Sequence, residues 1–218
     1  MRHHTFKGVA LAALALAASA ASAAPPTADL KVIGSIDVPA CTVAAPGGNG
    51  AYDFDVISPT LIKPGTAHTA LTALKKNWVV TCDAETFLTF SVVDNRAASV
   101  STPSATNFGL GDVNLTGKIG YYTVVMSAPT IDGMDSTAFR AVIGSGSPWA
   151  STSTSLYSTH EMGWSTGSAW SAVLKSGKVF AADLEVQPHL GGTTTMGGTV
   201  KDDVTLDGSL TMNFAFGL

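Results

Sequence analysis

This sequence has little charge: Asp, Glu, Lys and Arg make up 13% of 218 residues, with 12 basic groups against 16 acidic ones. Lys and Arg stand singly or in the one adjacent pair Lys75-Lys76. Nucleic acids and anionic membranes both demand clustered positive charge of a partner, so neither is expected here. An apolar run of about 20 residues, the length of a spanning helix, is also missing; the longest, Val9 to Ala18, falls well short. No helical periodicity recurs in the rest of the chain. Cysteine occurs only as Cys41 and Cys82. What remains is globular material, with 45% hydrophobic residues to bury and 22 glycines to turn the chain, a composition unlike that of a disordered segment.

The single apolar run follows Arg2 and Lys7 and gives way to small residues, with Pro25 and Pro26 closing the segment. That is the layout of a secretory signal peptide. Ala21 and Ala23 suit the positions a signal peptidase reads, and a cut after Ala24 would leave Pro25 in a disfavoured first place. Residues 1–23 are therefore expected to be removed, leaving no membrane insertion. Residues 24–33 then form an N-terminal arm and 34–218 a single domain, mildly acidic and of a size for one large β unit.

Two-residue alternation recurs between clusters of Gly, Pro, Asn, Asp and Ser, which predicts strand after strand. Tyr52, Phe54 and Val56 alternate with Ala51, Asp53 and Asp55; Trp78, Val80 and Cys82 alternate with Asn77, Val79 and Thr81. Further strands are expected over 86–93, 119–126, 137–142, 178–186 and 199–206. The last is clearest, with Leu210, Met212, Phe214, Phe216 and Leu218 on one face and Ser209, Thr211, Asn213 and Ala215 on the other. One face is core and the other wet. Residues 144–176, rich in Ser and Gly, have weak periodicity and are expected to form an elaborated loop region.

In a chain bound for an oxidising compartment, Cys41 and Cys82 are expected to bond to each other. Two buried free thiols or a metal pair are the alternatives. The second is disfavoured because no His or Cys neighbour completes a ligand set at metal spacing.

The run Val32-Ile33-Gly34-Ser35-Ile36-Asp37-Val38-Pro39-Ala40-Cys41-Thr42-Val43 resembles the first strand of chaperone-usher pilins, in which a Gly, an apolar residue two later and a Cys seven later recur. The second Cys about forty residues on and Gly208 before an alternating final strand match as well. A nearer resemblance is to a bacterial fimbrial-like periplasmic family of unknown function, the GltF-type proteins. It rests on Leu30 to Cys41, Asn77 to Cys82, Asp94-Asn95-Arg96, Asn107 to Gly111, Gly117 to Gly120 and Leu206-Asp207-Gly208. The resemblance implies an all-β, immunoglobulin-like or pilin-like sandwich with one disulfide, a periplasmic or cell-surface location, and no cofactor.

It also implies a way of working. A pilin-type sandwich lacks one strand, and the resulting groove is an aggregation hazard until another chain fills it. Filling is by strand addition. The acceptor edge would be Leu210, Met212, Phe214, Phe216 and Leu218, and the donor the arm of another subunit, through Ala28, Leu30 and Val32. The partners would be other fimbrial-like subunits and a periplasmic chaperone. The arm departs from the pattern by starting with Pro25-Pro26, and the final strand by ending Gly217-Leu218 without a penultimate Tyr. A fibre-capping subunit or a self-complete periplasmic binding protein stays open.

Catalysis is not expected. Gly163-Trp164-Ser165-Thr166-Gly167 spells G-x-S-x-G, with Asp183 and His189 following. The motif has meaning at a strand-to-helix turn, and no helix is predicted after it. His68, His160 and His189 are far apart in sequence, and Asp202, Asp203 and Asp207 lack the alternating spacing of a calcium loop, so no metal site is expected. The rival to assembly is an adhesin-like module in which Trp149, Trp164 and Trp170, with Tyr157 nearby in sequence, hold a glycan among Ser, Thr and Gly, since an aromatic ring offers a flat apolar face. The alternative is that these rings pin a long loop onto the sandwich.

Overall fold

The computed structural model describes residues 26–35 and 38–216. The expected signal peptide, and Leu218 of the expected acceptor edge, lie outside the described residues. Two units are distinguished, meeting near residue 37. In the first, residues 26–35 carry neither strand nor helix and every side chain is exposed, Leu30 at 87% and Val32 at 89%.

The second unit is an all-β sandwich. Its principal strands are β1 (Cys41–Ala44), β2 (Leu74–Thr86), β3 (Leu88–Asp94), β4 (Gly120–Ile131), β5 (Thr137–Val142), β6 (Pro148–Ser151), β7 (Ser153–Ser155), β8 (His160–Thr166), β9 (Gly177–Leu190) and β10 (Leu210–Phe216). One sheet runs β1-β2-β9-β4-β7 and the other β6-β5-β8-β3-β10, with all neighbours antiparallel. Alternation decides which side chains meet between them. The first sheet contributes Val80 and Cys82, Phe180, Ala182 and Leu184, and Tyr122, Val124 and Met126; the second contributes Phe90 and Val92, Met162 and Trp164. Trp164 sits tilted between Phe90 and Phe180, its centroid 5.9 and 5.3 Å from theirs, and its indole N–H donates to the Ala181 carbonyl at 2.8 Å. The polar edge of the ring is thereby satisfied in a dry interior.

Cys41 and Cys82 are bonded, and stand directly opposite each other in the β1–β2 ladder. Beside them Ala40 N–H donates to the Asp83 carboxylate and Asp83 N–H to the Ala40 carbonyl, both at 3.0 Å. The bond thus fixes the register of a strand only four residues long.

Three sequence expectations need correction. Residues 144–176 carry β6, β7 and β8, and β8 is interior to its sheet. Residues 51–56 and 199–206, expected as strands, form no ladder. The strand expected over 86–93 is broken at Phe87, where the chain leaves β2 in one sheet and enters β3 in the other. Gly163 explains part of the concealment of β8: a Cβ there would lie 2.8 Å from the Leu88 carbonyl oxygen, so the close approach of β8 to β3 requires glycine and dilutes the strand signal.

Candidate functional site

The last strand occupies an edge. β10 pairs with β3 from Leu210↔Asp94 to Phe216↔Leu88, and no strand among the described residues lies on its other side. Asn95 N–H donates to the Ser209 carbonyl, which sets the phase of the ladder: residues 211, 213 and 215 bond inward to β3, while the N–H and C=O groups of Leu210, Met212 and Phe214 face outward. The side chains of the same three residues turn toward the core without being sealed in it; each is half-buried, and Phe214 lies 5.5 Å from Phe90. Phe216 is 37% exposed.

Across from this edge runs the stretch 51–57, turned at Asp55 (φ +51°), which also has no ladder partner among the described residues. Tyr52 anchors it. Its hydroxyl accepts from the Trp78 indole N–H at 3.0 Å and donates to the Leu184 carbonyl at 2.9 Å, and Lys76 Nζ donates to the Ala51 carbonyl at 2.6 Å. Burial pushes the Tyr52 phenol up, the bond from Trp78 partly opposes this, and Asp183 adds to the rise. The group is therefore a neutral donor at ordinary pH.

Between these banks lies a groove floored by apolar side chains. A cavity of about 340 Å³ separates Ala51, Tyr52 and Phe54 from Ser209, Leu210 and Met212, over Trp78, Leu184 and Val186. A second, of about 610 Å³, continues between residues 52–59 and 202–206, over Ile119, Leu190 and Met196. A slot of about 10 Å³ extends it beneath Met212 and Phe214 against Trp78, Phe90 and Trp164. The half-buried apolar residues packed against the core, among them Tyr52, Ile57, Trp78, Val186, Val200, Leu206, Leu210 and Met212, line this groove. Asp53, Asp55, Asp202 and Asp203 stand exposed along its rim. Two unpaired backbones flanking exposed core have the form into which an extended chain fits.

The remaining sequence candidates are dispersed. Ala28, Leu30 and Val32 lie in the exposed unit. The three tryptophans do not form one surface: Trp164 is 4% exposed inside the sandwich, whereas Trp149 is half-buried and Trp170 is 72% exposed, the latter two packed edge to face at 4.8 Å. Ser165 is fully buried on β8, its hydroxyl donating to the Thr137 carbonyl at 3.2 Å, and the turn after it leads into no helix. Asp183 accepts from Asn77, and His189 stacks on Tyr121 at 4.7 Å, so the G-x-S-x-G residues find structural partners. Asp207 pairs with Arg96 at 2.6 Å. Sequence reasoning missed the far bank of the groove as a site, although the alternation of Tyr52 and Phe54 was its signal. It also missed Arg140, whose guanidinium lies over the rings of Trp149 and Tyr157. No protein-family model matches the chain, and no curated protein matches it.

Proposed function

We propose that this protein is a secreted structural or accessory subunit of a fimbria-like surface assembly, working by accepting a β-strand and not by catalysis. The observation that carries this is the outward row of backbone groups at Leu210, Met212 and Phe214, lying beside a groove of half-buried core residues. An incoming strand would complete the ladder of β10 and place alternate side chains in the cavities, so main-chain bonds give affinity and the cavities give selectivity. Its partners would be a periplasmic chaperone and the N-terminal arm of another subunit. That arm offers Ala28, Leu30 and Val32 in alternation, with Lys31 between the last two to meet the acidic rim. The disulfide agrees with an oxidising compartment such as the bacterial periplasm.

The test uses the chain lacking residues 1–23 and a synthetic peptide spanning Ala24 to Ile36. Saturable binding is expected, abolished when Leu30 and Val32 of the peptide are both replaced by Asp. A stable monomer that ignores this peptide and strands from other subunits alike would exclude the assembly role.

A further inference from the structure

At the opposite edge of the β10 sheet, an arginine is held among aromatic rings. Arg140 on β5 stands beside Trp149 on β6 in register. Its guanidinium carbon lies 5.7 Å from the Trp149 ring centre and 5.1 Å from that of Tyr157, and Nη1 donates to the Tyr157 hydroxyl at 2.9 Å. Trp170 stands perpendicular to Trp149, at 85°, making a corner of two indoles. His160 packs on Tyr157 at 4.5 Å.

Two features set this cluster apart from ordinary packing. Trp170 is 72% exposed, yet its loop is tied down: Ala150 and Ala169 exchange both backbone hydrogen bonds at 2.8 Å, and Ala169 sits at φ +46°, a left-handed conformation that is costly for a non-glycine residue. A large apolar ring is thus fixed in solvent, where it contributes little to folding. The charge of Arg140 is also unmatched. The two ion pairs among the described residues are Lys75–Glu185 and Arg96–Asp207, and Glu161 on the neighbouring strand accepts from Thr89 instead. Burial and Arg140 lower the pKa of His160, so the arginine carries the positive charge of the patch.

We infer that Trp149, Trp170, Arg140 and Tyr157 form a binding site for a saccharide bearing a carboxylate. The apolar face of the sugar ring lies on the exposed indole of Trp170. Its carboxylate takes the guanidinium N–H groups left over from Tyr157, in the planar, two-pronged geometry that arginine offers. A neutral sugar would leave the charge unanswered. The site is independent of the groove reading, because β6 and β10 are opposite ends of one sheet and a strand added to β10 leaves β6 open.

The experiment measures binding of the chain lacking residues 1–23 to sialyllactose and oligogalacturonate, with lactose and a poly-Glu peptide as controls. Binding to at least one acidic sugar, stronger than to either control, is expected, weakened at least tenfold by Trp170→Ala and by Arg140→Gln. Trp170→Ala should leave the thermal midpoint unchanged, which separates loss of the site from loss of the fold should Arg140→Gln unfold the protein. No binding to either acidic sugar, equal binding to lactose, preference for the poly-Glu peptide, or acidic-sugar binding indifferent to Trp170→Ala would each overturn the inference.

Discussion

Two side-chain links, one covalent and one hydrogen-bonded, do more for the architecture than their size suggests. The Cys41–Cys82 bond closes a loop of 41 residues, which in the chain-entropy treatment stabilises the fold by about 4 kcal/mol. Replacing both by Ser should lower the unfolding free energy by roughly that amount, readable as a fall in the urea midpoint with a steeper slope, because the freed unfolded chain exposes more surface. Tyr52 is the second. Tyr52→Phe leaves the Trp78 N–H and the Leu184 carbonyl without their shared partner, and a loss of about 1 kcal/mol is expected by the same denaturation measurement. Tyr52 and Tyr122 also set the alkaline limit. Burial, the leading cause in each, raises both phenols, with a nearby carboxylate adding to the rise. A raised phenol favours the folded state while protonated, so this stability is complete below the ordinary tyrosine value of about 10 and drains away as pH climbs beyond it. Thermal midpoints that hold steady from pH 8 to 9 and fall above 10 would agree; a midpoint rising above 10 would not.

At the scale of strands, alternation in the sequence reports that one face is covered. It does not report a ladder neighbour. Residues 51–56 and 199–206 touch the core only at Tyr52, Val200 and Leu206, while Val56 is 99% exposed and Val204 is exposed too; neither stretch pairs, because the place beside each is the groove. The final strand was legible in its alternation, and the cysteine pair was legible too. β8 was hidden for the opposite reason: it is interior, with strands on both sides, but Gly163 and Ser165 stand where a stronger signal would need apolar or β-branched residues. The close fit of β8 to β3 makes a prediction. Gly163→Val should force the strands apart and destabilise the sandwich by about 2 kcal/mol, seen as a lower thermal midpoint. An unchanged midpoint would mean that the Leu88 carbonyl can yield without penalty.

For the whole molecule, the sheet that ends in β10 has two ends of different character. One presents open backbone over apolar cavities with an acidic rim; the other presents a corner of two indoles, one of them stacked with an arginine. The sandwich could be read from composition and alternation, and the resemblance implied a groove beside the final strand; the far bank of that groove could not be read, because residues 51–57 form no ladder. Hydrogen exchange at the amides of β10 tests the proposed strand addition directly. In the isolated protein, the amides of Leu210, Met212 and Phe214 should exchange rapidly while those of Thr211, Asn213 and Ala215 are protected by β3; on addition of a partner strand the first three should become protected in turn. Outward amides already as slow as their neighbours, or still rapid after a strand has bound, would contradict the account.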